Sequence, residues 1–373
     1  MIIPEPVTVH PNAADLPQQI AQLPAGSGIY LLRGPNGRPA HMSWSAHLPK
    51  RLNRLLVSSY TGSDGRRAAL RDQLTEVACW PTGSKLETSL LMLNLARGVY
   101  PDDYLKRLRL RIPWFVGIGD IEGYPRLNIM NRIPKRAQSV YGPFASRDAA
   151  QRYEEELLGL FQLRRCTGQL VPAPDHPGCI YGEMNLCMRP CQLIVGREEY
   201  LSEAQRVADF LSTNGRAAVT SLTIARERAS EGMDFEQAAQ LHKRIERTLA
   251  VSALRDNVVA DARRFRGVAL TRTAANRRLS LWLLFDGYWQ GQIILDFPDE
   301  QERSKSLDRE IREKLDEATR HATPEGKRTE HLAVFARWYF SSWRDGSWFP
   351  FRALDDLNYK KLVREISNLL KPA

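Results

Sequence analysis

The feature that most constrains this chain is a group of four cysteines, Cys166, Cys179, Cys187 and Cys191, spaced C-x12-C-x7-C-x3-C within twenty-six residues. They fall in a Pro- and Gly-rich segment, 164–192, with no sufficient apolar core of its own. A long irregular segment inside a compact protein needs a reason to be ordered, and a bound metal supplies one. Cluster iron takes deprotonated soft ligands, and four thiolates from one loop can wrap a cubane. Arg164, Arg165 and Arg189 flank the group and would offset the negative charge of thiolates plus cluster. The spacing lacks the paired C-x2-C knuckles usual for structural zinc, which places zinc second without removing it. Cys79, alone in Val77-Ala-Cys-Trp80, reads as a small core residue.

No run of eighteen apolar residues occurs in the 373, and the longest candidate, Leu279 to Leu284, is strand-sized. A spanning helix is excluded, so no membrane partner is expected. The start, MIIPEPVTVHPNAADLP, lacks a basic region, an apolar run and a small-residue cleavage site. The expectation is a cytoplasmic protein, where thiols stay reduced and cysteine clusters hold metals more often than disulfides.

A formal charge of +10 suggests a polyanionic partner. Its distribution says more. Between Lys106 and Arg136 stand eight cations (Lys106, Arg107, Arg109, Arg111, Arg126, Arg132, Lys135, Arg136) against Asp120 and Glu122, a net of +6. Trp114, Phe115 and Tyr124 are interleaved with them. Ammonium and guanidinium groups beside flat rings suit phosphates and bases, so this stretch, with Lys50 and Arg54, is the expected DNA-binding surface. A solvated strand face with core aromatics is the competing reading.

The fold class expected is α+β. Residues 1–105 read as a small mixed domain, with a strand at Gly28–Leu32, a turn at Gly34-Pro-Asn-Gly37 and a second strand over 38–42. Basic and leucine-spaced helices follow at 47–58 and 85–98. Residues 106–197 form a basic and cysteine-rich domain, with a tight turn at Tyr141-Gly-Pro-Phe144. Residues 198–255 read as two long antiparallel helices joined near Gly232, with Asp234 and Gln237 capping the second. Residues 256–373 predict three strands (266–273, 279–286, 289–296), helices at 302–319, 328–344 and 354–370, and core tryptophans between 338 and 348.

Several of these segments, taken in order, resemble the UvrC family, the nuclease subunit of bacterial nucleotide excision repair. They are Gly28-Ile-Tyr30, Tyr124-Pro-Arg-Leu127, Tyr141-Gly-Pro-Phe144, Cys187-Met-Arg-Pro-Cys191 and Met233-Asp-Phe-Glu-Gln-Ala-Ala239. The resemblance implies a GIY-YIG-like N-terminal domain and a [4Fe–4S] cluster on Cys166, Cys179, Cys187 and Cys191. It also implies a UVR-like helical hairpin docking a UvrB-type helicase through Phe235, Ala238 and Ala239. It covers 25–255 well and runs more faintly beyond.

Two departures qualify it. The family's RNase H-like nuclease and helix–hairpin–helix pair have no counterpart in the 373 residues, so 5′ incision is not expected. The GIY-YIG site is also eroded. Such a site cuts a phosphodiester with water activated beside a tyrosine, an arginine on the phosphate and a glutamate holding a divalent metal. Tyr30 and Arg51 match the first tyrosine and the arginine, but the second tyrosine reads His41, its glycine Ser43 and the next lysine Trp44. Aligning Glu87 and Asn94 with the family's pattern puts Met92 where the metal glutamate belongs, the closing asparagine near Tyr104, and another family tyrosine at Leu55. A thioether does not hold magnesium. Glu87, five residues away, is off the face of Met92.

The expectation is therefore a DNA-binding, iron–sulfur UvrC-like protein with an impaired nuclease site. The first alternative is an active endonuclease that makes a single 3′-side incision with Tyr30, His41, Arg51 and Mg or Mn. The second is an interaction scaffold that never touches DNA.

Overall fold

Apolar runs in the first and last thirds of the chain build two antiparallel sheets, and the middle third builds another. The computed structural model describes residues 3–57, 71–119, 123–134, 139–297 and 306–371. The order begins β1 (Val7–Val9), α1 (Leu16–Ala21), β2 (Ser27–Arg33), β3 (Pro39–Ser45), α2 (Leu48–Leu52), β4 (Glu76–Thr82), α3 (Lys85–Val99) and α4 (Tyr104–Leu108). It continues with β5 (Trp114–Gly119), β6 (Arg126–Met130), β7 (Ser139–Phe144), α5 (Arg147–Leu158), α6 (Ile180–Glu183), α7 (Arg197–Thr213), α8 (Arg216–Glu231), α9 (Phe235–Ala253) and β8 (Ala260–Asp261). The last third holds β9 (Gly267–Arg272), β10 (Arg278–Phe285), β11 (Tyr288–Asp296), α10 (Leu307–Arg320), α11 (Arg328–Tyr339), β12 (Ser347–Pro350) and α12 (Tyr359–Leu370). The class is α+β, as expected. Among the described residues no helix is long and apolar enough to cross a membrane.

Residues Met1–Arg111 and Arg266–Ala373 form one compact unit, and Ile112–Phe265 form another. In the first unit, one sheet runs β1-β4-β2-β3 and the other β11-β10-β9-β12. Strand β2 is buried on both faces, which is why Gly28-Ile-Tyr-Leu-Leu32 is a continuous apolar run and not an alternating one. Ile29 and Leu31 meet Leu91 and Leu95 of α3, while Tyr30 and Leu32 meet Leu48 and Leu52 of α2. The second sheet packs Val268, Leu270, Leu281 and Leu283 against Ile311 and Leu315 of α10 and Leu362 and Ile366 of α12.

The N-terminal and C-terminal segments of this unit meet at backbone distance. A Cβ on Gly83 would sit 1.9 Å from the carbonyl carbon of Thr273, so only glycine fits there. Beside it, the Lys85 amide donates to Asp345 Oδ2 at 2.6 Å. Glu330 of α11 is nearly fully buried and accepts from Arg97 Nη2 at 2.5 Å and from the Tyr104 hydroxyl at 2.8 Å.

In the second unit the sheet order is β6-β5-β7-β8. Its core joins Val116, Ile118 and Tyr141 to Tyr153 and Leu157 of α5 and to Tyr200, Val207 and Phe210 of α7. Two expectations change here. Tyr141-Gly-Pro-Phe144 lies in strand β7, because the space over Gly142 is taken by the Phe115 ring, 2.3 Å from where a Cβ would be. Residues 197–253 make three helices, not two. Asn214 (φ 52°) and Gly215 (φ 76°) turn left-handed and break the first. The turn at Gly232 is present, with Met233 left-handed and Asp234 Oδ1 accepting from the Gln237 amide at 2.9 Å. In the C-terminal segment, strand β12 falls within the aromatic-rich stretch, where no strand was expected.

His331 of α11 accepts the Trp289 amide on Nδ1 at 2.8 Å. Burial, aided by the Arg97 charge and opposed by Glu330 and Glu325, pushes it down from its ordinary 6.5 to about 4. Between these values the unfolded chain binds more protons than the folded one, so stability is complete above pH 6.5 and is lost as pH falls through 4. The loss amounts to about 3 kcal/mol. Urea unfolding at pH 7 and 4.5 should show this slope in the wild type and a much smaller one in His331→Asn, whose carbonyl can still accept the Trp289 amide. Equal slopes would contradict the assignment.

Candidate functional site

The cysteine segment is held from outside by Arg164, whose side chain is buried to the same degree as the aromatic core. Its Nε donates to the Tyr124 carbonyl at 3.0 Å, and Nη1 donates to the Gly168 carbonyl at 3.2 Å and to Cys166 Sγ at 3.7 Å. Its backbone amide donates to the Tyr200 hydroxyl at 3.0 Å, and that hydroxyl donates to the Pro125 carbonyl at 2.8 Å. Nη2 is buried and has no hydrogen-bond partner among the described residues. A buried cation bonded to carbonyls and a thiol is stabilised only if an anion stands near it.

The chain around the thiols is wound tightly. Asn185, Arg189 and Leu193 all take left-handed backbone conformations, which non-glycine residues rarely adopt, and Leu193 has no side-chain hydrogen bond to favour it. The Arg189 amide donates to Cys187 Sγ at 3.4 Å, and the Ala173 amide to the Cys191 carbonyl at 2.9 Å. Cys187 and Cys191 are buried, and Cys166 and Cys179 are exposed. Burial pushes the Cys187 thiol up, the Arg189 amide pulls it down, and Cys166, Cys179 and Cys191 each push it up further. Cys191 is likewise pushed up by burial and then by Cys179 and Cys166. Among the described residues no three His, Cys, Asp or Glu side chains converge closely enough to hold a single ion. Arg126 on β6 also belongs to this neighbourhood, since burial and then Arg164 depress it while Glu154 and Cys166 oppose the shift. Cys79, in strand β4, is fully buried and packs with Tyr30 and Leu32.

The residues matched to the GIY-YIG site are divided. Tyr30 is 1% exposed, and its hydroxyl accepts from Arg51 Nε at 3.4 Å. His41 lies directly across from Leu32 on the edge strand β3, its ring 6.3 Å from that of Tyr30. Met92 packs on the other face of the sheet, with Met42, Ile29 and Leu31. A cavity of about 530 Å³ at the edge of the sheet is lined by His41, Trp44 and Met92, and on its far side by Val334, Arg337 and Trp343. Glu87 is committed elsewhere, capping α3 through the Gly83 amide at 2.7 Å while its own amide donates to Ser84 Oγ at 3.1 Å. Leu55 packs against the α2 core.

Of the basic residues, Lys50, Arg54, Lys106, Arg107 and Arg109 are exposed in the first unit. Arg107 is paired with Asp103 at 2.9 Å. Arg126 is half-buried and Arg132 exposed in the second unit, while Lys135 and Arg136 lie outside the described residues. On the α8–α9 hairpin, Phe235 is 69% exposed beside Met233 at 78%, with Ala238 half-buried and Ala239 exposed.

Residues 114–210 match the family model of the UvrC/Cho excinuclease middle domain. The chain is 28% identical over 289 residues to UvrABC system protein C of Desulforudis audaxviator, covering 77% of this chain and 46% of that protein. Against the proteins of the same name from Desulfitobacterium hafniense and Lacticaseibacillus paracasei the identity is also 28%, over 64% and 67% of this chain and 38% and 41% of theirs. The chain is UvrC-like. It spans less than half the length of these curated relatives. No solved structure matches.

In this UvrC-like chain the tyrosine near the closing-asparagine position, Tyr104, is consumed by Glu330, which also holds Arg97. Sequence reading found none of Arg164's burial, Arg337 or Trp343. The i, i+3, i+4, i+7, i+8 spacing of Lys85, Thr88, Ser89, Met92 and Leu93 is the sequence signal that could have marked one wall of the cavity. Glu330→Ala leaves Arg97 without its carboxylate and should cost about 3–5 kcal/mol, read as a lower urea midpoint. An unchanged midpoint would remove Glu330 from the account.

Proposed function

We propose that this protein binds DNA in nucleotide excision repair, carries an iron–sulfur cluster, and does not cut with its GIY-YIG-like site. The observation that carries the reading is the state of that site. Tyr30 is buried and bonded to Arg51, and the resemblance aligns Met92, which packs on the other face of the sheet, with the metal-binding glutamate. Without a carboxylate, the site has no hard ligand for magnesium. The middle-domain match and the similarity to UvrABC system protein C support the repair context.

Cys166, Cys179, Cys187 and Cys191 would hold the cluster. The fit rests on the orphaned Nη2 of buried Arg164, the left-handed backbone at Arg189 and Leu193, and the Arg189 amide aimed at Cys187 Sγ. A cubane gives each thiolate its own iron, so the sulfurs need not converge on one point as zinc ligands do. When bound, the cluster supplies thiolate–iron bonds that staple the 164–192 loop. Arg164 and Arg126 offset its charge, and Tyr200 ties the loop to α7. Phe235 and Met233, exposed at the turn of the α8–α9 hairpin, suit docking of a helical partner of the UvrB type.

A nicking assay on a lesion-containing duplex with Mg or Mn should show no incision. Cutting that disappears in Arg51→Ala would overturn the reading in favour of a single 3′-side endonuclease. Anaerobic purification should give a brown protein with iron and acid-labile sulfide. A colourless protein containing zinc would reject the cluster.

A further inference from the structure

The carboxylate-free cavity of the first unit is built from four separate stretches of chain. Strand β3 gives His41 and Trp44, and one face of α3 gives Lys85, Ser89 and Met92. The segment after α4 gives Arg107 and Arg109, and the C-terminal segment gives Arg337 and Trp343. At about 530 Å³ it falls within the ~300–1,000 Å³ range of small-ligand sites.

Its chemistry is one-sided. Four cations line it and no carboxylate does. Asp103 engages Arg107 at 2.9 Å and Arg337 Nη1 donates to the neutral Leu108 carbonyl at 3.2 Å, so Lys85, Arg109 and the remaining donors of Arg337 are left to meet an anion. Two tryptophans offer flat apolar faces. Trp44 is 47% exposed, and Trp343 lies under Lys85 Nζ, 5.0 Å from its ring centroid. The loop that carries Trp343 is pinned by Asp345, which accepts from the Lys85 amide at 2.6 Å and from Trp338 Nε1 at 3.1 Å. The floor is apolar, with Met42, Met92, Leu108 and Val334. The thioether of Met92 matters here, because a carboxylate at that position would place a negative charge in the middle of the cations.

We propose that this cavity binds one nucleotide unit, its base against Trp44 or Trp343 and its phosphate between Lys85, Arg109 and Arg337. The C-terminal segment closes one side of this cavity with Val334, Arg337 and Trp343, and no lining side chain is a carboxylate. The nucleotide comes either free, as a deoxynucleoside monophosphate, or swung out of a DNA strand. The second source rests on the DNA-binding reading above, and the first does not.

The test uses the full chain in EDTA. Calorimetry measures deoxynucleoside monophosphates, and fluorescence anisotropy measures a labelled single-stranded oligonucleotide. Wild type is compared with Met92→Glu, Trp343→Ala, Arg337→Glu and, as a control that does not line the cavity, Arg309→Gln on α10. Arg309→Gln should bind as wild type, whereas Met92→Glu and Arg337→Glu should weaken binding roughly tenfold by charge alone. Trp343→Ala should weaken it by a similar factor through lost stacking. Photocrosslinking of wild-type protein to 5-iododeoxyuridine, as monophosphate and within the oligonucleotide, should label the peptides containing Trp44 or Trp343. This last readout needs no variant to fold. Monophosphate binding with this pattern assigns a free-nucleotide site, even if DNA is not bound. The same pattern with the oligonucleotide alone assigns a nucleotide drawn from a strand. Oligonucleotide binding that is equal in all variants, with crosslinks elsewhere and no monophosphate binding, overturns the pocket and leaves DNA binding intact. No binding of either ligand overturns both.

Discussion

Glu330 is a carboxylate removed from water and held between Arg97 and the Tyr104 hydroxyl. A charge in that position is tolerated only while both partners remain, because breaking a buried pair leaves an uncompensated ion. It therefore fixes α11 against α3 and α4. The close approach of Gly83 to Thr273 and the Asp345 bonds to Lys85 and Trp338 hold the same junction along a second line. Several side chains around the neighbouring cavity are committed at or beside this junction. The cap residue Glu87 is spent on α3, Tyr104 is spent on Glu330, and Arg337 and Trp343 are brought over Met92.

The second unit is organised on a similar principle with the opposite charge. Buried Arg164 is bonded to carbonyls and to Cys166, and Tyr200 links its backbone to strand β6 through Pro125. An unpaired guanidinium in that setting costs several kcal/mol. The loop itself holds three non-glycine residues in left-handed conformations, Asn185, Arg189 and Leu193.

Much of this was legible in local sequence, and the reasons are local. The strand at Gly28–Leu32, the turn at 34–37, the α3 helix and the Asp234 cap all rest on residues within a few positions of one another. Neighbouring side chains and turn chemistry suffice there. Tyr141–Phe144 misled because Gly-Pro is a turn signal, whereas pairing with β5 and with the distant β8 makes it a strand. The break at Asn214–Gly215 was missed because its neighbours continue a helical pattern on both sides.

The sequence by itself determined the α+β class, the clustering of four cysteines and the cap at Asp234. Each is a matter of residue type and short spacing. Only the tertiary structure decided that residues 1–111 and 266–373 form one unit. Likewise, only the fold put Arg337 and Trp343 beside Met92 and made Arg164 a buried cation in want of an anion. These depend on contacts between residues more than two hundred positions apart or on the depth of burial, and neither is encoded in any short window of sequence.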